Sequence, residues 1–254
     1  MYFCTTYSYL VMYSLYIKEI KSYLSSLLGY IFIAVFLVVT GLFLWVFPNI
    51  NNIFYAGIAD LESFFSLAKF LFLFLIPAIT MRSFAEEKRQ GTMELLLTKP
   101  LSDVQIILAK FFSSLTLLLI ALLPTFIYVI SIYNLGKPIG NIDLGSTLGS
   151  YLGLFLLGAT FISIGIFVSS LTSNQIVAFI LTAPLCFILH FGFEFIYSFD
   201  ALGVFGYYLK TVGIDHHYTV ISQGVIDSRD LIYFCSVIFL FLFLTRISLL
   251  SRKW

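Results

Sequence analysis

The segment LGSYLGLFLLGATFISIGIFVSS, residues 148–170, decides the fold, because it is apolar along its length and carries no charged side chain. An α-helix of about 20 residues crosses the hydrocarbon core of a bilayer, whereas a barrel strand needs about 9–11 residues of alternating polarity. The segment therefore predicts a transmembrane helix. Its small residues permit close helix contacts in lipid, and we favour contacts inside one chain over contacts between two copies: Gly149, Gly153, Gly158, Gly165 and Ser169.

Five further segments share this character and predict an all-α polytopic membrane protein with six transmembrane helices. The six predicted spans are residues 27–47, 64–81, 106–133, 148–170, 175–195 and 231–250. The third span is expected to begin with a tilted or interfacial turn, because Lys110 lies inside it. Three prolines fall within spans and are expected to kink them, since proline removes a helical hydrogen bond: Pro77, Pro124 and Pro184.

The overall composition agrees with a protein solvated mostly by lipid. Of the 254 residues, 60% are hydrophobic and 11% are charged, whereas a soluble domain has about 25% charged residues. The net charge of +1 gives no polyanion-binding signal, which excludes nucleic acid as a partner. Two of the three cysteines fall in apolar runs, so we interpret them as packing residues rather than as disulfides or metal ligands.

Loop lysines and arginines predict the orientation, because cytoplasmic loops carry the excess of basic residues. The opposite side would hold only Lys137, Lys210 and Arg229, and Lys69 lies within the second span. The remaining ten of the 14 basic residues lie on one side, which is therefore predicted to be cytoplasmic together with both termini: Lys18, Lys21, Arg82, Lys88, Arg89, Lys99, Lys110, Arg246, Arg252 and Lys253.

Two segments outside the spans have a predicted structure. Residues 13–28 are expected to form an amphipathic helix at the cytoplasmic interface. Residues 1–11 are a poor signal peptide, so we expect Met12 to be the native start and residues 12–254 to form a single domain. On the outer side, residues 196–230 mix apolar and polar side chains with four glycines, which predicts short re-entrant or interfacial helices.

Motifs for enzyme chemistry are missing from the sequence. There is no G-x-x-x-x-G-K-[ST], H-E-x-x-H, G-x-S-x-G or C-x-x-C, so we predict no catalytic, cofactor-binding or metal site in this chain. His190 and Glu194 lie four residues apart at the outer end of the fifth span. A metal or proton site is one interpretation, but we favour both side chains facing water or the outer loop near the headgroups. Residues 215–217, Asp-His-His, are predicted to form a solvated turn.

Between the second and third spans lies a dense polar segment, RSFAEEKRQGTMELLLTKPLSD, residues 82–103. Its charges nearly cancel, which disfavours a polybasic lipid anchor. Arg82 and Glu86 are four residues apart and support a helical extension of the second span. Gly91 is expected to end this extension, and Ser102 to Gln105 form a capping-box pattern that begins the third span.

A second, short helix is predicted between Gly91 and Pro100. Thr92 is its expected cap, with Glu94 in the first turn. Met93, Leu96 and Leu97 would share one apolar face. This apolar face either lies on the membrane surface or binds a cytoplasmic partner, and we favour the partner because the segment is structured and has balanced charge.

These residues resemble the signature of the ABC-2-type transporter permeases. The resemblance rests on residues 84–88 (FAEEK), 91–96 (GTMELL) and 100–102 (PLS), on Lys110, and on the segment 224–233 that enters the sixth span. Within that family the chain is most similar to the permease subunit of the gliding-motility-associated transporter. The copper-enzyme-maturation permeases are the alternative.

The resemblance implies a permease that pairs with a second permease copy or a related membrane subunit, and with a separate ATP-binding subunit that holds ATP and Mg²⁺. It also implies an exporter in a bacterial inner membrane, with residues 92–98 as the coupling helix and residues 196–230 closing the exit path. A scaffold without transport activity is the competing hypothesis, and a stand-alone channel or carrier is disfavoured. The residues implied in ATPase coupling are Glu86, Glu87, Arg89, Gly91, Thr92, Met93, Glu94, Leu96, Leu97 and Pro100.

Overall fold

A computed structural model describes residues 2–93, 101–198 and 210–251, and these residues form helices joined by turns and short connections, without a strand. The helices are α1 Tyr2–Ser25, α2 Leu27–Gly41, α3 Ile53–Ala56, α4 Glu62–Thr80, α5 Arg82–Arg89, α6 Asp103–Leu122, α7 Phe126–Leu135, α8 Leu144–Leu171, α9 Gln175–Phe187, α10 Phe193–Tyr197, α11 Ile214–Ser222 and α12 Ser228–Leu250.

Six helical segments in the described part of the chain are long and apolar enough to cross a membrane, which confirms the predicted all-α fold with six spans. Several spans combine neighbouring helices, such as α4 with α5. The bounds are Leu27–Val46, Glu62–Arg89, Asp103–Leu135, Leu144–Leu171, Gln175–Tyr197 and Ser228–Leu250.

The prolines act differently in their three spans. Pro124 lies in a 3₁₀ turn, Leu123–Thr125, that separates α6 from α7. Pro77 and Pro184 lie within the continuous helices α4 and α9. Four residues after Pro184, the fifth span widens into a π-helical turn, Ile188–Gly192.

Helix α8 is the central element of the bundle and contacts α4, α5, α6, α9, α11 and α12. Its glycines allow these contacts: a Cβ on Gly149 would lie 2.3 Å from the carbonyl oxygen of Ile221, and a Cβ on Gly165 would lie 2.0 Å from Oγ1 of Thr80. Both neighbours belong to the same chain, which confirms the prediction that the small residues serve intramolecular packing.

The two ends of α8 define two ends of the bundle. With 28 residues, α8 is about 42 Å long. Its first turns hold α11, and its last turn holds α5 and the end of α12. We call these the α11 end and the α5 end.

Near its N-terminus the chain is helical from Tyr2, so α1 begins before the predicted amphipathic segment 13–28 and ends slightly earlier, at Ser25. Ser26 separates α1 from α2, because its hydroxyl oxygen accepts a hydrogen bond from the backbone N–H of Gly29 and caps α2. In the segment 196–230, residues Ile214–Ser222 form α11, and residues 199–209 lie outside the described residues.

Substituting Gly165 tests the central packing. Gly165→Ala places a methyl group where Thr80 lies, so we expect the free energy of unfolding to fall by about 1–3 kcal/mol. Thermal denaturation of the purified protein in detergent measures the change.

The matched control is Gly41→Ala, whose added Cβ makes only an ordinary contact of 3.4 Å with the hydroxyl of Tyr128. Equal melting temperatures for the two variants would contradict the packing described for α8.

Candidate functional site

The helix predicted to bind a partner, residues 92–98, follows α5, and the end of α8 holds α5 in place. The Ser169 hydroxyl accepts hydrogen bonds from the backbone N–H groups of Phe84 and Ala85, at 3.0 and 3.1 Å. It also donates to the carbonyl of Met81, at 3.0 Å. One side chain of α8 thus satisfies backbone groups freed at the bend between α4 and α5. Lys88 of α5 donates to the Ser170 carbonyl.

Helix α5 itself has the structure that the sequence predicts. The Arg82 guanidinium forms two hydrogen bonds with Glu86, at 2.8 and 3.1 Å. The helix ends at Arg89, and Gly91 adopts a left-handed conformation with φ of 68°, which favours glycine. Both the backbone N–H and the hydroxyl of Thr92 donate to the carbonyl of Glu87, so the chain turns back sharply here.

Only the beginning of the predicted coupling helix lies within the described residues. Met93 is buried in the chain's own core, with 9% of its surface exposed, so its side chain is not part of an exposed patch. Glu94, Leu96, Leu97 and Pro100 lie outside the described residues.

The capping box predicted at Ser102 to Gln105 is confirmed. The backbone N–H of Gln105 donates to the Ser102 hydroxyl, and the backbone N–H of Ser102 donates to the Gln105 side chain.

A buried lysine joins α5 to α1 and α6. The Lys110 ammonium lies 2.9 Å from a carboxylate oxygen of Glu87 and 3.3 Å from one of Glu19. Its side chain is 2% exposed, and its nitrogen lies 5.2 Å from the ring centre of Phe84. We call Lys110, Glu19 and Glu87 the Lys110 cluster. The expected tilted or interfacial start of the third span stays a prediction, and the Lys110 ammonium itself lies inside the bundle, neutralised by carboxylates from two other helices.

Hydrogen bonds extend the Lys110 cluster along α1. The Tyr23 hydroxyl lies 3.1 Å from that of Ser114 and 3.5 Å from that of Ser83. Burial, with the nearby charge of Glu19, raises the pKa of Tyr23, so its phenol stays neutral and able to donate. Nearer the N-terminus, the hydroxyls of Tyr16 and Thr116 are 2.8 Å apart. Helix α1 is thus attached to α6 at several points by polar contacts.

A cavity of about 370 Å³ borders the Lys110 cluster. Its lining includes Lys18, Glu19, Arg82, Glu86, Glu87 and Lys110. These charges balance, and the chemistry is that of paired charges that fix helices in place. Among the described residues no group of three His, Cys, Asp or Glu side chains could hold a metal ion.

The α11 end carries a second charged cluster, which corrects one prediction. His190 was expected to face water or the outer loop; it is fully buried, and its Nε2 lies 3.2 Å from the carboxylate of Asp215 in the outer segment 196–230. Asp215 and His217 were expected in a solvated turn, but both lie in helix α11. Asp215 also pairs with Lys69 at 3.2 Å. Burial opposes the Asp215 charge, but Lys69 and His190 outweigh this effect and lower the pKa of Asp215.

Sequence reasoning missed this α11-end cluster because its partners lie far apart along the chain. The available signal was an ionisable residue within a span: Lys69 stands alone among apolar residues and needs a counter-ion.

A separate contact joins α11 to α12, because His217 Nδ1 lies 2.6 Å from the carboxylate of Asp230.

The fold and the α5 end together define a class of protein: a multi-pass helical membrane protein whose second span ends in the polar helix α5. A family model described as ABC-2 family transporter protein matches residues 13–204, which is more than half of the chain. The chain therefore belongs to the ABC-2 family of transporter proteins and is a membrane permease subunit of an ABC transporter. A comparison with curated proteins finds no match. The predicted similarity at residues 224–233 lies outside the matched region.

Removing the Lys110 ammonium tests the Lys110 cluster. Lys110→Met leaves two carboxylates without their buried counter-ion, so we expect the free energy of unfolding to fall by about 3–5 kcal/mol. The triple variant Lys110→Met, Glu19→Gln, Glu87→Gln should recover most of this loss, because no isolated charge remains. Thermal denaturation in detergent measures both effects.

Lys18→Met is the matched control. Lys18 lies 3.9 Å from Glu19 but is 63% exposed, so its loss should cost at most about 1 kcal/mol. If Lys110→Met were as stable as Lys18→Met, the cluster would have no structural importance.

Proposed function

We propose that this permease subunit is driven by a separate ATP-binding subunit, which holds ATP and Mg²⁺ and docks on residues 92–98. The observation that carries the proposal is the position of the Lys110 cluster. It attaches α5, which leads into the docking segment, to α1 and to the beginning of the third span. ABC-2 permeases normally work with an ATP-binding subunit.

The contacts at the α5 end offer a path for transmitting movement. A force on residues 92–98 reaches α5 through the tight turn at Glu87 and Thr92. From α5 it reaches α8 through Ser169, and α1 and α6 through Lys110. Closure of the ATP-binding subunits would thereby shift the spans between inward-facing and outward-facing states.

Not every residue in the predicted coupling set is free to contact the ATP-binding subunit. Glu87 pairs with Lys110, and Glu86 pairs with Arg82. We assign both carboxylates to positioning α5. Arg89 is exposed at the end of α5 and is the described charged residue placed best for direct contact. Glu94, Leu96 and Leu97 complete the proposed docking surface, with Gly91, Thr92 and Pro100 defining its ends.

In the proposed assembly a second permease copy or a related membrane subunit completes the transporter, and the α5 end faces the cytoplasm of a bacterial inner membrane. The least buried spans support a lateral partner and lipid: 22% of the fifth span's most apolar window and 11% of the sixth's are buried within the chain. The particular role that we propose is export linked to gliding motility. Maturation of a copper enzyme and scaffolding without transport are the alternatives.

Docking is tested by asking whether an ATPase co-purifies with the detergent-solubilised permease. Leu96→Asp places a charge on the proposed apolar docking face, so we expect loss of the associated ATPase with normal membrane insertion. Leu144→Asp is the matched control, because Leu144 is 54% exposed at the opposite end of α8. If the Leu96→Asp variant still co-purified with the ATPase, the docking proposal would be contradicted.

Transport and scaffolding are separated by substrate movement in liposomes that contain the whole complex. A transporter moves substrate only with ATP and a catalytically competent ATPase. Equal movement with an ATPase-dead partner would contradict ATP-driven transport.

A further inference from the structure

At the α11 end, a polar cavity of about 470 Å³ lies between the beginnings of α4 and α8 and one side of α11. This volume is in the range of about 300–1,000 Å³ that small-molecule sites occupy. The cavity lies at the opposite end of the bundle from the proposed ATPase-docking segment, and nothing in the proposed function uses it.

Charges of opposite sign occupy different depths of this cavity. Its exposed mouth carries three carboxylates, Asp60, Glu62 and Asp143. Lys69 is the one basic residue among the described lining residues and is 18% exposed. It lies seven residues beyond Glu62 on α4, about 10 Å further along the helix axis. An acidic mouth and an ammonium at the floor, which Asp215 shares, therefore fit a molecule with a cationic and an anionic end.

The Lys69 ammonium keeps capacity for a further contact. It donates one hydrogen bond to Asp215, at 3.2 Å, and lies 4.6 Å from the ring centre of Tyr218. Because a lysine ammonium has three N–H donors, the contact with Asp215 leaves donors for a ligand carboxylate.

The walls between mouth and floor present hydrogen-bond acceptors. The hydroxyls of Ser146 and Ser150 both donate to the carbonyl of Ser222, at 2.8 and 3.2 Å. The hydroxyl of Thr147 donates to the carbonyl of Asp143, at 2.7 Å. Since each hydroxyl has a single hydrogen, these oxygens are left to accept. A ligand with N–H groups between its charged ends matches such walls.

We propose that this cavity binds a short unblocked peptide, with its ammonium group at the acidic mouth and its carboxylate at Lys69. Peptide N–H groups lie between the two charges and suit the acceptor walls. A chain of three residues spans about 10 Å when extended, which matches the separation between Glu62 and Lys69. The site is independent of ATPase docking, so either proposal stands if the other fails.

Triglycine is the probe, with N-acetyl-triglycine and triglycinamide as forms that each lack one charge. Binding to the full-length chain in lipid nanodiscs is measured by isothermal titration calorimetry. We expect saturable binding of triglycine, and about tenfold weaker binding of each blocked form, because each loses a charge-assisted hydrogen bond.

A variant with a neutral mouth, Asp60→Asn, Glu62→Gln, Asp143→Asn, should bind triglycine about tenfold more weakly. Asp227→Asn is the matched control: Asp227 is exposed and caps α12 as Asp143 caps α8, but it lies outside the cavity lining. Its affinity for triglycine should be unchanged.

Three results would overturn the proposal: no saturable binding of triglycine, binding of either blocked form as tight as that of triglycine, or equal affinity in the neutral-mouth variant. Triglycinamide binding as well as triglycine would show a cation site in which Lys69 has no part.

Discussion

A buried ammonium needs carboxylates close by, and the arrangement of the α5 end depends on this constraint at Lys110. A charge moved from water into an apolar interior is costly unless it is paired. The partners come from α1 and α5, which are 68 residues apart at Glu19 and Glu87. Such a pair adds little net stability compared with apolar packing, but breaking it is expensive. Its consequence is therefore geometric: α1, α5 and the beginning of α6 are held in one arrangement.

Helix α8 connects the α5 end to the rest of the bundle. Its glycines allow α4 and α11 to approach closely, and Ser169 supplies hydrogen bonds to the beginning of α5. Each end of α8 thus contacts a different charged cluster, with the Lys110 cluster near one end and the α11-end cluster near the other. Because packed helices shift as bodies rather than deforming continuously, a displacement at one end of α8 reaches the other end.

The fold was largely predictable from the sequence because helix length and hydropathy are local properties. The six spans, the end of α5 just before Gly91 and the capping box at Ser102 all follow from neighbouring residues. The charged clusters were not predictable in this way. Lys110, Lys69 and His190 each find partners on other helices, so no local pattern shows whether such a residue faces water or a counter-ion. An ionisable residue inside an apolar span was the one available signal.

We propose that α1 and α5 move together when an ATP-binding subunit closes on this permease. Spin labels at Ser25 and Gln90, both exposed, would report the distance between these two helices by electron paramagnetic resonance in the assembled complex. We expect the same distance distribution with and without ATP, and a broader distribution in the Lys110→Met variant. A shift in the distribution when ATP is added to the otherwise unmodified complex would contradict it.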